Sequence, residues 1–255
     1  MCFLPGRNLL ITASMDDGTI KLWDIYTSEC VKTIEAHKEG IGEFHHNQKR
    51  SIVVTAGEDS IKVWDDRTFE QIGKISISPD DRVRWLSVTQ DGTYILYATC
   101  QKNKNIQQSQ TIINILDIDT SACVEQFVFS RGNVRAVVLC ENQRYMVIEY
   151  YIDDKSGPGK REYLYVLYDR ETQCFSDLNN YKVQGDISVV ENIGYLVIQK
   201  KNVLCVEDPV TKRTVTKTEI GKSKILRQYL FDDGILYTAA RNGEVSFTIY
   251  LQEQL

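Results

Sequence analysis

The sequence predicts an all-β protein built from repeated antiparallel sheets, and three observations carry that prediction. A phrase recurs: ITASMDDGTIKLWD, Ile11 to Asp24, returns as VVTAGEDSIKVWD, Val53 to Asp65, with Trp23 and Trp64 41 residues apart. Self-similarity at a period of this size marks a repeat architecture. Each copy also has the same internal order of apolar run, turn and alternating run. Finally, 42% hydrophobic residues and 14 tyrosines suit a globular β protein.

The elements of one copy follow from residue type. Leu9-Leu10-Ile11 and Ile52-Val53-Val54 are short apolar runs of the kind buried on both faces. Asp16-Asp17-Gly18 supplies residues that tolerate positive φ, as a tight hairpin turn requires. Ile20 and Leu22, like Ile61 and Val63, alternate with polar residues, so one face of that strand is buried.

In the residues from Leu9 to Asp65 the chain resembles the WD-repeat family, whose members fold as β-propellers with one four-stranded sheet, or blade, per repeat. Later copies are degenerate but can be traced by their hairpins. The Trp-Asp position is taken by Leu116-Asp117 in TIINILDID, Tyr168-Asp169 in YLYVLYD, Glu207-Asp208 in NVLCVED and Thr248-Ile249 in EVSFTI. Successive intervals from Trp23 are 41, 52, 52, 39 and 41 residues. Polar insertions at 101–110 and 153–160 account for the two long ones, and both fall between strands, where insertions are tolerated.

The resemblance thus implies a WD-repeat-like β-propeller with six visible four-stranded blades, at about 1–35, 36–76, 77–130, 131–180, 181–220 and 221–255. A single domain over 1–255 is expected, because a blade buries its faces only against neighbours. The short start at Met1-Cys2-Phe3 and the brief sequence after Thr248 point to part of a longer chain. Either a seventh blade lies upstream, or the six form an open arc with exposed sheet edges.

Taken in order, blade one ends with Cys30–Ile34 as its outer strand. Blade two opens at Ala36-His37, where the family has Gly-His; its inner strand holds Ile41 and Phe44, and its outer strand lies near Gln71–Ile75. Blade three begins at Arg82-Val83-Arg84-Trp85-Leu86, turns at Asp91-Gly92 and ends with Cys123–Phe129. Blade four begins at Val134–Leu139. Its strands around Met146–Tyr151 and Tyr163–Tyr168 are long and Tyr-rich, a hairpin expected to project. Blade five has Ile187–Val190, Tyr195–Ile198 and Val203–Val206. Blade six has Ile225–Phe231, Ile235–Ala239 and Val245–Ile249, with Asn242-Gly243 at a turn.

Composition narrows the function classes. A net charge of −5 disfavours nucleic acid, which selects basic domains. The seven cysteines include no C-x-x-C pair, which favours a reducing compartment and a cytoplasmic or nuclear location. No run approaches the roughly 18–20 apolar residues of a membrane helix, and nothing resembles a cleavable leader. No cofactor is implied.

Most chemical motifs have plain structural readings. The family's buried chain of His, Thr, Asp and Trp is matched in blade two by His37, Thr55, Asp59 and Trp64; it resembles a nucleophilic triad but is assigned a structural role. Blade one keeps Trp23, a turn Asp (Asp16 or Asp17) and a hydroxyl (Thr12 or Ser14). His45 and His46 are neighbours in a strand and point to opposite faces, so they do not share a metal. Ser156-Gly157-Pro158-Gly159-Lys160 fails the G-x-x-x-x-G-K-[ST] pattern. The acidic pairs Asp80-Asp81, Asp153-Asp154 and Asp232-Asp233 are turn residues. No catalytic residue and no metal ligand is nominated.

Arg84 and Arg135 each follow a buried valine in an inner strand. In the family that position lies near the mouth of the central channel, a common docking surface. With Arg82, Arg227 and Trp85 they form the expected partner-binding set, suited to acidic or phosphorylated peptides. The expected function is a non-catalytic protein–protein interaction scaffold, docking proteins or peptides on its top face and projecting loops. Replacing Arg84 and Arg135 with Ala is expected to abolish capture without lowering stability. The rival readings are an RNA-associated propeller of a ribonucleoprotein and a propeller enzyme with a channel-mouth site.

Overall fold

A computed structural model of the chain describes residues 1–101, 111–140, 143–153, 161–178, 186–189, 195–200, 203–219, 225–230, 235–240 and 245–249. Six antiparallel sheets follow one another along the chain. The first comprises β1 (Cys2–Leu4), β2 (Leu9–Ala13), β3 (Thr19–Asp24) and β4 (Cys30–Glu35), with a 3-10 turn at Pro5–Arg7. The second comprises β5 (Glu43–Asn47), β6 (Ile52–Ala56), β7 (Ser60–Asp65) and β8 (Gln71–Ser76). The third comprises β9 (Asp81–Val88), β10 (Tyr94–Gln101), β11 (Thr111–Asp117) and β12 (Cys123–Phe129).

The fourth sheet holds β13 (Asn133–Leu139), β14 (Tyr145–Asp153), β15 (Arg161–Asp169) and β16 (Cys174–Asp177). The fifth holds β17 (Asp186–Val189), β18 (Leu196–Lys200), β19 (Val203–Glu207) and β20 (Thr214–Glu219). The sixth has three strands among the described residues: β21 (Ile225–Leu230), β22 (Ile235–Ala240) and β23 (Val245–Ile249). Strand order within every sheet is the chain order, as successive hairpins dictate. The chain divides into two compact units, Met1–Val134 and Arg135–Leu255.

Side-chain alternation explains how the sheets of the first unit stack. β6 is buried at all five positions. Val53 and, on β7, Trp64 face the first sheet and pack with Ile11, Ile20 and Leu22. Ile52, Val54, Ile61 and Val63 face the third sheet and pack with Leu86, Val88, Ile95 and Tyr97. A strand sandwiched in this way needs apolar residues on both faces, which is why its sequence shows no alternation. β2 is less enclosed, with Ile11 buried and its neighbours half-buried. The first strands β5 and β9 pack together, whereas the fourth strands β4 and β8 are mostly exposed. In the second unit Val138, Val147, Tyr165 and Leu167 of the fourth sheet pack with Leu196, Ile198 and Cys205 of the fifth.

One device repeats more faithfully than the tryptophan. After β3, β7, β11, β15 and β19 stands an aspartate: Asp24, Asp65, Asp117, Asp169 and Asp208. Each carboxylate accepts backbone N–H groups two or three residues on. Four residues after each aspartate comes one in the left-handed region: Ser28, Phe69, Ser121, Gln173 and Lys212, with φ of 55–60°. The carboxylate satisfies turn donors that the ladder cannot, so the chain reverses without glycine. Just before the turn the pairing slips by one residue, as at Leu22/Trp23 and Val63/Trp64.

Two glycines are required by close approach. Gly18 has φ of +68°, and its carbonyl accepts N–H from both Ala36 and His37, tying the first hairpin to the start of the second blade. Gly57 lies against the His37 ring; a Cβ there would stand 2.4 Å from Nδ1.

Candidate functional site

In the second sheet the polar chain is continuous on one side. The Trp64 indole N–H donates to Thr55 Oγ1 at 3.0 Å, and Thr55 Oγ1 is 2.8 Å from His37 Nε2. The hydroxyl oxygen that takes the indole proton keeps its own proton and a second lone pair, so it can pair with either tautomer of the His37 ring. His37 Nδ1 is buried without a hydrogen-bond partner among the described residues. Asp59 stands 3.8 Å away with its carboxylate largely exposed, an ion-pair distance but not a hydrogen bond. Burial, with the Lys62 charge behind it, lowers the His37 pKa, and Thr55 is fully buried beneath it, closed off from solvent.

The first sheet has a shorter version. Trp23 Nε1 donates to Thr12 Oγ1 at 2.9 Å, which makes Thr12 the hydroxyl partner. Ser14 Oγ instead accepts the N–H groups of Asp16 and Asp17 in the turn. Asp17 accepts from Thr19, and hydrogen bonds from Ser14 and Thr19 hold its carboxyl down at about 2.

The arginines fall in both units, and each has its own setting. On β9, Val83 pairs with Thr99 and Trp85 with Ala98, so Arg84 is the extra residue of a β-bulge. Bulges re-aim side chains, and Arg84 is exposed, its Nε 3.0 Å from Cys100 Sγ. Arg82 is also exposed and lies 3.7 Å from Glu58. Trp85 is half-buried. Arg227 lies on β21, and its side chain is outside the described residues. So are residues 102–110, the Ser156–Lys160 run, Asp154, Asp232-Asp233 and Asn242-Gly243.

Arg135 is not a free surface charge. Its Nη1 is 2.5 Å from Glu149 Oε1, and the Glu149 side chain is only 9% exposed. Tyr165 donates its hydroxyl to the same oxygen at 3.3 Å. Against the burial that would lower it, the Glu149 charge raises the Arg135 pKa. The guanidinium also lies 5.2 Å over the Tyr163 ring. Tyr163 pairs across the hairpin with Tyr151, their rings 6.0 Å apart, and Arg161 lies 4.4 Å over Tyr151.

These residues form one face of β14 and β15, because side chains two apart share a face. It grades from buried Glu149 and Tyr165, through Tyr151 and Tyr163, to exposed Arg161. β16 pairs only with Val166–Asp169. Sequence reasoning picked out the Tyr-rich hairpin but not Glu149 or Arg161. The signal for Glu149 was there: a single charge inside the apolar run Met146–Tyr151 needs a partner.

A second polar constellation lies between the first and second sheets. Cys2 Sγ is 3.3 Å from His46 Nδ1, and His46 Nε2 is 2.9 Å from Asp66 Oδ2. Arg7 donates to Asp66 Oδ1 at 3.1 Å and to its carbonyl at 2.6 Å. Pairing of the sheets brings Cys2 to His46 across 44 residues. Among the described residues no group of three or more His, Cys, Asp or Glu side chains is arranged to hold a metal.

Comparison with known proteins adds to this geometry. The family model "WD domain, G-beta repeat" matches residues 1–24 and 28–65. The DENN domain and WD repeat-containing protein SCD1 of Arabidopsis thaliana is 26% identical over 153 residues, 60% of this chain and 11% of that protein. The WD repeat-containing protein JIP5 of Cryptococcus neoformans is 34% identical over 87 residues, 34% of this chain and 23% of that one. The chain thus spans a small part of the curated relatives it matches. The solved structure of U3-55K superposes with a TM-score of 0.61 at 11% identity, covering 96% of this chain and 75% of that one. A chain in the mitotic checkpoint complex gives 0.59 at 17% identity, covering 96% and 72%. At such identities the likeness shows the fold alone. Residues 1–65 thus match WD repeats, and the stacked four-stranded sheets give the chain an all-β fold of the β-propeller type.

Proposed function

We propose that this chain is a non-catalytic protein-interaction scaffold that docks acidic peptide segments of its partners. The observation that carries the reading is the Tyr–Arg face of β14 and β15. Tyrosine and arginine are the residue types that dominate binding energy at interfaces. Here Tyr163 and Arg161 are exposed while their neighbours Glu149 and Tyr165 are rigidly buried, so the surface is preorganised. In the first unit, Arg84 on its bulge offers a second cationic position. WD-repeat relatives support the scaffold class in general, and the DENN domain named beside the WD repeat in the Arabidopsis relative supports a role as one part of a larger protein.

The test is affinity capture from the native source with quantitative mass spectrometry, comparing wild type, Arg161→Ala/Tyr163→Ala and Arg84→Ala. A stoichiometric protein partner that falls at least about tenfold with the hairpin variant, at unchanged melting temperature, is the expected outcome; two hot-spot residues at roughly 1–2 kcal/mol each suffice for that. Recovery of a free monomer from the source, or a partner indifferent to both variants, would overturn the proposal.

A further inference from the structure

The Cys2–His46–Asp66–Arg7 constellation has an ordered proton logic that the scaffold reading does not use. Arg7 pairs with Asp66, and Asp66 N–H donates to the Ser51 carbonyl at 2.9 Å, which fixes the carboxylate. A carboxylate can only accept, so His46 presents Nε2–H to Asp66. In the neutral ring the other nitrogen, Nδ1, is then a lone pair facing Cys2 Sγ at 3.3 Å. His46 and Asp66 side chains are 6% and 7% exposed, while Cys2 itself is half-buried. Cys2 thus stands partly open to solvent, whereas the base behind it is dry and held in place.

No other described cysteine has this setting. Cys2 Sγ, like the thiols of the exposed Cys30, Cys123 and Cys174, lies 3.4–3.5 Å from a backbone carbonyl, and Cys30 also meets a threonine hydroxyl, but only Cys2 among these also faces a histidine ring nitrogen. The equivalent inter-sheet clasp, Arg50 to Asp119, joins the second and third sheets without histidine or cysteine. The clasp therefore does not need Cys2 and His46 in order to hold sheets together.

We propose that Cys2 is a thiol modification site, with His46 as its general base, that reacts with small electrophiles of the peroxide class. In the step, Sγ attacks one peroxide oxygen as His46 Nδ1 takes the thiol proton. The O–O bond breaks, the departing oxygen receives the proton from His46, and the products are Cys2 sulfenic acid and water. Sulfur loses two electrons and the peroxide gains them. The base matters because burial pushes the Cys2 thiol pKa up: without proton transfer to His46, Cys2 would be the slow thiol of the set.

Two pulses on the intact folded chain at neutral pH test this, one with iodoacetamide and one with hydrogen peroxide plus dimedone, each read peptide by peptide. Cys2 is expected to react faster than Cys30, Cys123 and Cys174, by about threefold or more. In His46→Asn, whose Oδ1 keeps a hydrogen-bond acceptor near the Nδ1 position but cannot serve as base, Cys2 slows by at least about tenfold, a conservative share of the ~10²–10⁴-fold that a positioned base supplies. The three exposed cysteines keep their rates, and continued protection of the buried Cys100, Cys140 and Cys205 reports that the variant is folded. If the variant does not fold, the wild-type ratio decides. A Cys2 rate at or below the three controls, or a folded His46→Asn variant with an unchanged Cys2 rate, overturns the proposal.

Discussion

Thr55→Val is the sharpest probe of how the second sheet is held to its neighbours. The substitution preserves shape, so no cavity term enters and the change falls on hydrogen bonding. Thr55 is fully buried, and its hydroxyl serves two groups at once, the Trp64 indole N–H at 3.0 Å and His37 Nε2 at 2.8 Å. Trp64 and His37 are both buried, so water does not replace the lost partner. Each stranded group costs about 1–3 kcal/mol, and the pair about 2–4 kcal/mol. The homologous Thr12→Val strands only the Trp23 indole, which is half-buried and can turn to water; its cost is about 0.5–1 kcal/mol. All three tryptophans, Trp23, Trp64 and Trp85, lie in the first compact unit, so indole fluorescence follows that unit's unfolding. With a mid-range urea slope of about 2 kcal/mol/M, Thr55→Val should lower the midpoint by about 1–2 M and Thr12→Val by about 0.25–0.5 M. Equal shifts for the two variants, or a raised midpoint for Thr55→Val, would refute the account of a doubly used buried hydroxyl.

Two further outcomes follow from the titratable groups. Burial raises the Glu43 carboxyl from its ordinary 4.5 to about 7. The folded state therefore binds that proton more tightly than the unfolded chain, and the associated stability is full below about pH 4.5 and lost as pH rises through 7. Relative to wild type, Glu43→Gln should gain stability between pH 5 and 8 on urea titration, in the sense that the wild-type midpoint falls over this window and the variant's does not. Arg135→Ala leaves the Glu149 carboxylate buried with Tyr165 as its described partner. It should destabilise the second unit by about 1–3 kcal/mol, toward the low side because Arg135 is 58% exposed. Calorimetry would show this as a lowered transition absent from Arg84→Ala, and a double replacement of Arg84 and Arg135 therefore confounds docking with stability.

Much of the fold was legible because the repeat is made of local chemistry. The unbroken apolar run of β6 states that the strand is sandwiched, whereas the alternation on β7 hides that its second face is buried too, through Trp64 and Ser60. The aspartates at 24, 65, 117, 169 and 208 survive even where Trp gives way to Leu, Tyr or Glu, since any apolar or half-polar side chain can close the sheet but the turn's N–H groups need an acceptor. Choosing between Thr12 and Ser14 was beyond the sequence for a geometric reason. The first hairpin turn is two residues longer than the second, so Thr12 matches Thr55 at a spacing of 43 while the tryptophans sit 41 apart. Arg84's bulge and the Glu149–Arg135 pair depend on register across strands, which a linear pattern does not record.

What the repeat does not repeat is where its individual chemistry lies. Arg7 and Arg50 occupy equivalent turns 43 residues apart, and each reaches an aspartate in the following sheet's outer turn, Asp66 and Asp119. If the ion pair were the whole purpose, both clasps would look like the second, half-exposed and water-screened, a pair worth little on its own. The first is instead buried at Asp66 and extended inward through His46 to a thiol. Burying a histidine and a carboxylate costs desolvation that a simple inter-sheet tie does not require, since the Arg50 clasp holds its sheets without it. The same comparison separates the hairpins: β14 and β15 are nine residues each, against five and six for β2, β3, β6 and β7, and their extra length carries the Tyr–Arg face. In a chain whose architecture comes from copies of one unit, departures with a local cost and no architectural return are the places where selection for chemistry or binding is the economical explanation.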